Sequence, residues 1–203
     1  MRVFVCGCGA IGSNLIDTLV RQGVKAEISV VDFDRVEEKN LATQVWNYDE
    51  IGQLKVAAMQ NRCYNINKTN IEIFDKKLDN RTIKKFLKNC KDTDLVVDCF
   101  DNSESRKLLK DYCTNNDIRC LHGGLFEGYG EVVWNDSYIV PENAKGDVCD
   151  NPIARNLILL LTSVMAEQIR KYIAGEIDEY FGNFTITLKD LQIRKERNYV
   201  KVT

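Results

Sequence analysis

Short apolar runs alternate with longer amphipathic segments over the first two thirds of the chain. Runs of four to six apolar residues predict strands, and apolar residues three or four apart predict helices. Because strands such as Leu95–Val97 are apolar throughout, we expect a parallel sheet with helices on both faces, a doubly wound α/β fold. The predicted strands are 2–6, 26–31, 70–74, 94–99 and 118–121, and the predicted helices are 10–22, 49–66, 80–90 and 103–116.

The pattern changes after Gly123 and Gly124. Residues 131–140 predict a pair of strands with their turn at Asn135 and Asp136, because these residue types favour turns. A polar loop is predicted over 141–151. The predicted last elements are a helix from Asn151–Pro152 to Ala174 and two antiparallel strands, 184–188 and 191–193.

The predicted last helix carries an apolar face wide enough for a core or a subunit interface. This face comprises Leu157, Leu160, Leu161, Val164, Met165, Ile169 and Ile173.

Length and charge limit the possible functions. A chain of 203 residues is long enough for one substantial core, so we expect residues 1–203 to form a single nucleotide-binding domain. The 28 basic and 30 acidic residues leave no excess charge to attract nucleic acid or an anionic membrane.

The eight cysteines are dispersed and none belongs to a CxxC pair, which argues against a zinc site. No export signal is recognisable, so we expect reduced thiols and a cytoplasmic protein. The longest uncharged stretch, 156–166, is far shorter than the ~18 apolar residues that span a bilayer.

A glycine-rich loop follows the first predicted strand, with Gly7, Gly9 and Gly12 in a GxGxxG pattern. Gly7 permits a tight turn, Gly9 lets the backbone approach a phosphate, and Gly12 lets the helix pack against the strand. The helix N-terminus then presents N–H groups to a negative charge. This order of elements predicts a nucleotide-binding site.

Two acids, Asp32 and Asp34, follow the second predicted strand. Asp32 lies twenty residues after Gly12, a spacing at which a carboxylate can bind a ribose hydroxyl. We include both acids among the candidate nucleotide-binding residues. The loop and Asp32 alone would suit NAD as well as ATP.

The segment 32–47 has no regular pattern, which in a short α/β chain is typical of a binding site. Asn40 and Gln44 offer amides there. Lys55, early in the next predicted helix, offers a positive charge for a polyphosphate, and its alternative is an ordinary solvated lysine.

Asp101 and Asn102 follow the fourth predicted strand. Ligands of open α/β sheets bind beyond the carboxyl ends of strands, so both side chains are expected near the glycine loop. A carboxylate there can hold Mg²⁺ against phosphate oxygens. The alternative for Asp101 is a helix N-cap.

Together these motifs resemble the ThiF/MoeB/HesA family, the bacterial relatives of the ubiquitin-activating enzymes. The resemblance rests on residues 7–13, 32–44, 52–55 and 96–106 and extends from residue 2 to about 195. It implies a Rossmann-like activating-enzyme fold, and a reaction in which ATP·Mg²⁺ adenylates the C-terminal glycine of a small ubiquitin-fold protein ending in Gly-Gly. A homodimer is carried over from the family.

The resemblance also implies a role for each matched residue. Gly9 and Ala10 would contact phosphate, Asp32 ribose, Asn40 the nucleotide, Lys55 phosphate, and Asp101 the metal ion.

Two positions bear on whether the chain is active. Cys149, in the predicted loop 141–151, stands where several family members carry a cysteine that takes the activated carboxyl group. Thr43 stands where the family usually has an arginine, and Arg35 or Arg106 could supply the missing charge. The sequence therefore leaves two alternatives to an adenylyltransferase: a nicotinamide-dependent oxidoreductase, and a nucleotide-binding adaptor that has lost catalysis.

His122, the one histidine, follows the predicted strand 118–121. No carboxylate partner is evident in the sequence, so we expect a structural role for this side chain.

Overall fold

The computed structural model describes residues 1–88, 90–91, 94–142, 154–178 and 181–196. The helices there are α1 (Ala10–Arg21), α2 (Lys55–Asn67), α3 (Thr82–Phe86), α4 (Ser103–Asn115) and α5 (Ala154–Ala174). The strands are β1 (Arg2–Cys6), β2 (Glu27–Val31), β3 (Glu72–Phe74), β4 (Leu95–Asp98), β5 (Cys120–Phe126), β6 (Tyr129–Trp134), β7 (Phe184–Thr187) and β8 (Gln192–Lys195).

These strands form one sheet in the order β3-β2-β1-β4-β5-β6-β7-β8. The first five in that order are parallel, and β6, β7 and β8 are added antiparallel. Val5 of β1 pairs with Val30 of β2 on one side and Val97 of β4 on the other. The predicted fold class, a mostly parallel sheet with antiparallel C-terminal strands, is confirmed.

Helices cover the sheet on both faces, because the parallel strands are apolar on both sides. Val3 and Val5 face a core formed with α1, α2 and α5, whereas Phe4 and Cys6 face a second core formed with α3 and α4. None of the described helices is long and apolar enough to cross a membrane.

The strand order reverses direction between β1 and β4. From β1 the chain moves outward to β2 and β3 and then returns to β4 on the other side. The loops after β1 and β4 separate at such a point, and the crevice between them is where open α/β sheets bind ligands.

The hairpin prediction for residues 131–140 is wrong. The turn lies at Glu127 and Gly128, whose φ values of 42° and 85° suit a two-residue turn that follows the twist of the strands. It joins β5 to β6, so β5 runs to Phe126 rather than ending at 121. The expected turn at Asn135 is instead a short 3₁₀ helix, Asn135–Ser137.

Two predicted helices are shorter than expected. Helix α2 begins at Lys55 rather than at 49, because Gly52 has a φ of 88° and a separate 3₁₀ turn occupies Tyr48–Glu50. Helix α3 covers only Thr82–Phe86, and its first N–H groups are capped by the Asp79 carboxylate.

Helix α5 ends at Ala174, and Gly175 follows with a φ of 71°, the usual way to end a helix. Its predicted start at Asn151–Pro152 lies outside the described residues. Its predicted apolar face divides in two: four residues are buried in the core and three are partly buried beside it. The buried four are Leu157, Leu161, Met165 and Ile169, and the others are Leu160, Val164 and Ile173.

Candidate active site in the crevice beyond β1 and β4

The loop between β1 and α1 has the geometry that its glycines suggest. Gly7 has a φ of 96°, which side chains rarely tolerate. A Cβ on Gly12 would lie 1.9 Å from the Gly7 carbonyl oxygen, so α1 can pack against the loop only if this residue is glycine. A Cβ on Gly9 would meet nothing within 4 Å, so the space above this part of the loop is open. The N-terminus of α1 therefore adjoins open space that can hold an anion.

Asp32 is bound directly to the glycine loop. Its Oδ2 accepts a hydrogen bond from the Cys8 N–H at 2.6 Å, and its Oδ1 accepts one from the Asp34 N–H at 2.8 Å. Burial raises the pKa of the Asp32 carboxyl, and the Lys55 charge and these two N–H groups offset only part of that effect. The arrangement fixes the orientation of the carboxylate at the loop.

Lys55 completes this cluster from the first turn of α2. Its backbone N–H donates to the Asp34 carbonyl, and its Nζ lies 3.2 Å from the Asp34 carboxylate. Burial disfavours the ammonium charge, but the attraction of Asp32 and Asp34 exceeds that effect and raises the pKa of Lys55. With an exposed fraction of 6 %, Lys55 is a positioned buried cation rather than a solvated helix lysine.

The amide oxygens of Asn40 and Gln44 shape the segment between β2 and α2. The Asn40 Oδ1 accepts the Glu37 N–H at 3.0 Å, closing the start of a 3₁₀ turn over Glu38–Ala42. The Gln44 Oε1 accepts the Trp46 indole N–H at 2.6 Å. Both side chains are buried and hold the segment in shape, a role that the sequence did not suggest.

Asn14, which is not among the residues predicted from the sequence, joins that segment to the glycine loop. Its Nδ2 donates to the Ala10 carbonyl at 2.8 Å and to the Thr43 carbonyl at 2.9 Å. Thr43 itself is fully buried. The sequence feature that could have indicated this role is a polar residue, Asn14, on the buried face of the amphipathic helix α1.

Asp101 and Asn102 lie between β4 and α4, next to the glycine loop. A Cβ on Gly7 would lie 3.0 Å from the Cys99 carbonyl oxygen, which shows how closely the two loops approach. Asn102, not Asp101, caps α4, because its Oδ1 accepts the Ser105 N–H at 2.9 Å. The Asp101 carboxylate is exposed and accepts a 3.3 Å hydrogen bond from the Asn102 amide.

His122 has a carboxylate partner, Asp98, which was not evident in the sequence. The His122 Nδ1 lies 2.8 Å from Asp98 Oδ2, its Nε2 lies 3.0 Å from the Asn135 side-chain oxygen, and its ring stacks on Tyr138 at 3.7 Å. Both Asp98 and His122 are fully buried, which fits the expected structural role.

Both arginines considered as substitutes for the charge missing at Thr43 donate hydrogen bonds to other parts of the chain. Arg106 is buried and donates to the Tyr138 hydroxyl and the Gly123 carbonyl, with Asp98 at 3.8 Å. Arg35 is exposed and donates to the Gly52 carbonyl. Cys149 lies outside the described residues.

The described residues suit a nucleoside triphosphate with one bound divalent ion. The open space above Gly9 admits a phosphate, Lys55 supplies a positive charge, and Asp101 offers an exposed carboxylate. Within the described ranges no three His, Cys, Asp or Glu side chains gather as a metal site. Magnesium needs no such cage, since one or two carboxylates together with substrate phosphates hold it.

Comparison with known proteins shows that the chain is similar to proteins named as activating enzymes and adenylyltransferases. The chain is 32% identical over 133 residues to the SAMP-activating enzyme E1 of Haloferax volcanii, covering 64% of this chain and 48% of the relative. It is 30% identical over 132 residues to the sulfur carrier protein ThiS adenylyltransferase of Bacillus subtilis, covering 64% of this chain and 38% of that protein. The chain thus spans about half or less of the length of these relatives.

A solved structure of E. coli MccB with MccA-N7isoASN has the same fold, with a TM-score of 0.77 and 16% identity. The alignment covers 96% of this chain and 64% of the other. Residues 1–202 match the ThiF family. The match covers nearly the whole sequence, and the chain therefore belongs to the ThiF family.

Proposed function

We propose that this chain is an ATP-dependent adenylyltransferase that activates the C-terminal glycine of a small ubiquitin-like or sulfur-carrier protein. One observation carries the proposal: hydrogen bonds join the glycine loop, Asp32, Asp34 and Lys55 into one cluster beside open space. Membership of the ThiF family supports it, because matched relatives are named as activating enzymes and adenylyltransferases.

In the proposed reaction, a carboxylate oxygen of the carrier glycine attacks the α-phosphorus of ATP. The bond from that phosphorus to the bridging oxygen breaks, and its electron pair leaves with pyrophosphate. Two anions must approach each other, so rate enhancement comes from positioning and positive charge rather than from a general base. Lys55 and the N–H groups at the start of α1 provide this stabilisation, and Asp32 holds the ribose.

Asp101 is proposed to hold Mg²⁺, which would neutralise phosphate oxygens when bound. Asn40, Gln44 and Asn102 contribute by keeping the neighbouring loops in shape.

Residues 1–203 are proposed to act as one adenylation domain that forms a homodimer. An apolar surface supports the dimer: Leu160 and Val164 of α5, with Phe184 and the half-exposed Ile193, line a cavity of about 400 Å³. Ile193→Glu is expected to give a monomer in sedimentation equilibrium, whereas Ile139→Glu, on a residue that is 83 % exposed elsewhere, is not. A monomeric wild-type chain would contradict the dimer.

A cytoplasmic location is part of the same proposal. The seven described cysteines are all free and six of them are buried, as expected where thiols stay reduced.

Cys149 is proposed to accept the activated carboxyl group from the adenylate. Cys149→Ala should keep ATP–pyrophosphate exchange and lose any covalent adduct with the carrier, as seen by mass spectrometry of the intact protein. An adduct that persists in Cys149→Ala would exclude this residue.

Nucleotide binding separates the proposal from its alternatives. Calorimetry should show binding of ATP·Mg²⁺ and none of NAD⁺ or NADH, and the reverse would indicate an oxidoreductase. ATP–pyrophosphate exchange should then appear on addition of a carrier, for which a Gly-Gly-ending protein encoded by a neighbouring reading frame is the first candidate. ATP binding with no exchange for any such carrier would favour the adaptor.

Lys55→Gln is expected to lower the exchange rate by about 10²–10³-fold, the usual effect of removing one positioned charge from a transition state. The control is Lys84→Gln on the exposed side of α3, which should leave the rate unchanged.

A further inference from the structure

Among the described residues, the crevice contains few cations to balance the charge of a triphosphate. Lys55 is already paired with Asp34. Arg106 is held in the buried network with Asp98 and Tyr138. Arg35 is exposed and donates to the Gly52 carbonyl, and among the described residues no hydrogen bond joins it to the start of α1. A further donor for the departing pyrophosphate therefore has to come from another part of the chain.

Arg155, in the first turn of α5, is such a donor. Its NH1 lies 3.2 Å from the Gln44 carbonyl, and the residue is only partly buried. Among the described residues no carboxylate lies within ion-pair distance of it. A guanidinium carries five N–H donors, so most of them remain for a ligand.

A chain of contacts connects Arg155 to the glycine loop. Gln44 follows Thr43, the Thr43 carbonyl accepts the Asn14 amide, and the same amide donates to the Ala10 carbonyl. Arg155 is therefore next to the segment that faces the start of α1, beside the position where Thr43 provides no charge.

The packing of α5 places this turn at the ligand-binding edge of the sheet. Leu157, two residues after Arg155, packs against Gly130 of β6: a Cβ added to Gly130 would lie 3.4 Å from the Leu157 Cδ1. Gly130 pairs with Leu125 of β5. Leu125 lies farther along β5 than His122, which pairs with Asp98, the last residue of β4. The first turn of α5 is thus near the carboxyl ends of the parallel strands, where ligands bind.

We infer that Arg155 binds the β- and γ-phosphates of ATP and stabilises the negative charge that moves onto pyrophosphate as the α-phosphorus–oxygen bond breaks. The inference rests on the proposed adenylation. A planar guanidinium can bind two phosphate oxygens at once and stays charged at any working pH. Helix α5 thereby supplies the arginine that the Thr43 position lacks.

The test measures dissociation constants for ATP·Mg²⁺ and for AMP by calorimetry, in the wild-type chain and in Arg155→Gln. Loss of one charge-assisted phosphate contact should weaken ATP binding about 10- to 100-fold and leave AMP binding unchanged. Arg170→Gln is the control, since Arg170 lies near the other end of α5 and pairs with Glu167 and Glu176.

Unchanged ATP affinity in Arg155→Gln would overturn the inference. So would equal weakening of ATP and AMP, because that result would assign Arg155 to support of the loop at Gln44 rather than to phosphate. Arg155→Lys, which keeps the charge but loses the paired geometry, should fold in any case and weaken ATP binding several-fold. A wild-type chain that binds no ATP would overturn the proposed function itself, and this inference with it.

Discussion

By sequence, either Asp101 or Asn102 could cap α4 or bind a ligand. The structure shows which of the two caps the helix. The Asn102 Oδ1 caps α4, whereas the Asp101 carboxylate is exposed. A helix needs only one side chain at its N-cap. The exposed carboxylate is therefore available to a ligand.

Asp101→Ala should abolish ATP–pyrophosphate exchange with little change in melting temperature, because no cap is lost. Asn102→Ala should lower stability by about 1 kcal/mol, or about 2–4 °C in melting temperature, through loss of the cap. Undiminished exchange in Asp101→Ala would disprove its proposed metal role, and a large drop in its melting temperature would show that it has a structural role.

At the residue scale, the sequence was informative where chemistry follows local spacing. Asp32 and Lys55 could be chosen from their positions relative to the glycine loop, and hydrogen bonds join all of them in the structure. The pair of Asp98 and His122 could not be chosen, because their contact depends on the register between β4 and β5. Register is fixed by packing of the whole sheet, which no local pattern reports.

At the scale of elements, the unit formed by β1, the glycine loop and α1 contains two glycines with opposite constraints. A Cβ on Gly12 would overlap the Gly7 carbonyl oxygen, while a Cβ on Gly9 would enter open space. Their substitution by alanine therefore tests packing and binding separately.

Gly12→Ala should destabilise the chain by about 3 kcal/mol or more, because the backbone of the loop has to move away from α1. Gly9→Ala should fold with nearly unchanged stability but bind ATP·Mg²⁺ at least about tenfold more weakly, because the methyl group takes space needed by a phosphate. Urea unfolding and calorimetry measure the two effects. Equal ATP affinity for Gly9→Ala and the wild type would place the phosphates elsewhere.

The turn between β5 and β6 shows where the prediction of elements failed. Asn135 and Asp136 are typical turn residues, yet they form a 3₁₀ helix after β6. The actual turn uses Glu127, whose positive φ is uncommon for glutamate, followed by Gly128. Pairing of β5 with β6 overrides the local preference, so residue type alone pointed to the wrong position.

At the scale of the whole molecule, buried thiols occur on both faces of the sheet. Burial raises the pKa of Cys63 to about 12, and it raises the thiol pKa values of Cys6, Cys8, Cys99 and Cys120 as well. An unfolded thiol ionises near 9.0. Between these pH values the unfolded chain releases protons that the folded chain keeps, so stability is retained below pH 9 and falls as pH rises above it.

Cys63→Ala should lose less stability than the wild type between pH 9 and 11, by up to about 1.4 kcal/mol per pH unit. Urea unfolding at pH 7, 9, 10 and 11 measures the two slopes, and at pH 7 to 8 they should be the same. Identical slopes above pH 9 would show that the Cys63 thiol ionises as easily in the fold as in the unfolded chain.

The order of strands in the sheet has a consequence for synthesis on the ribosome. β1 precedes the other strands in the chain but lies inside the sheet, and its second neighbour, β4, is complete only at Asp98. Until then the nascent chain exposes an apolar strand with one open hydrogen-bonding edge, which favours chaperone binding and aggregation. Arrested nascent chains of increasing length should become resistant to protease only after β4 has left the exit tunnel.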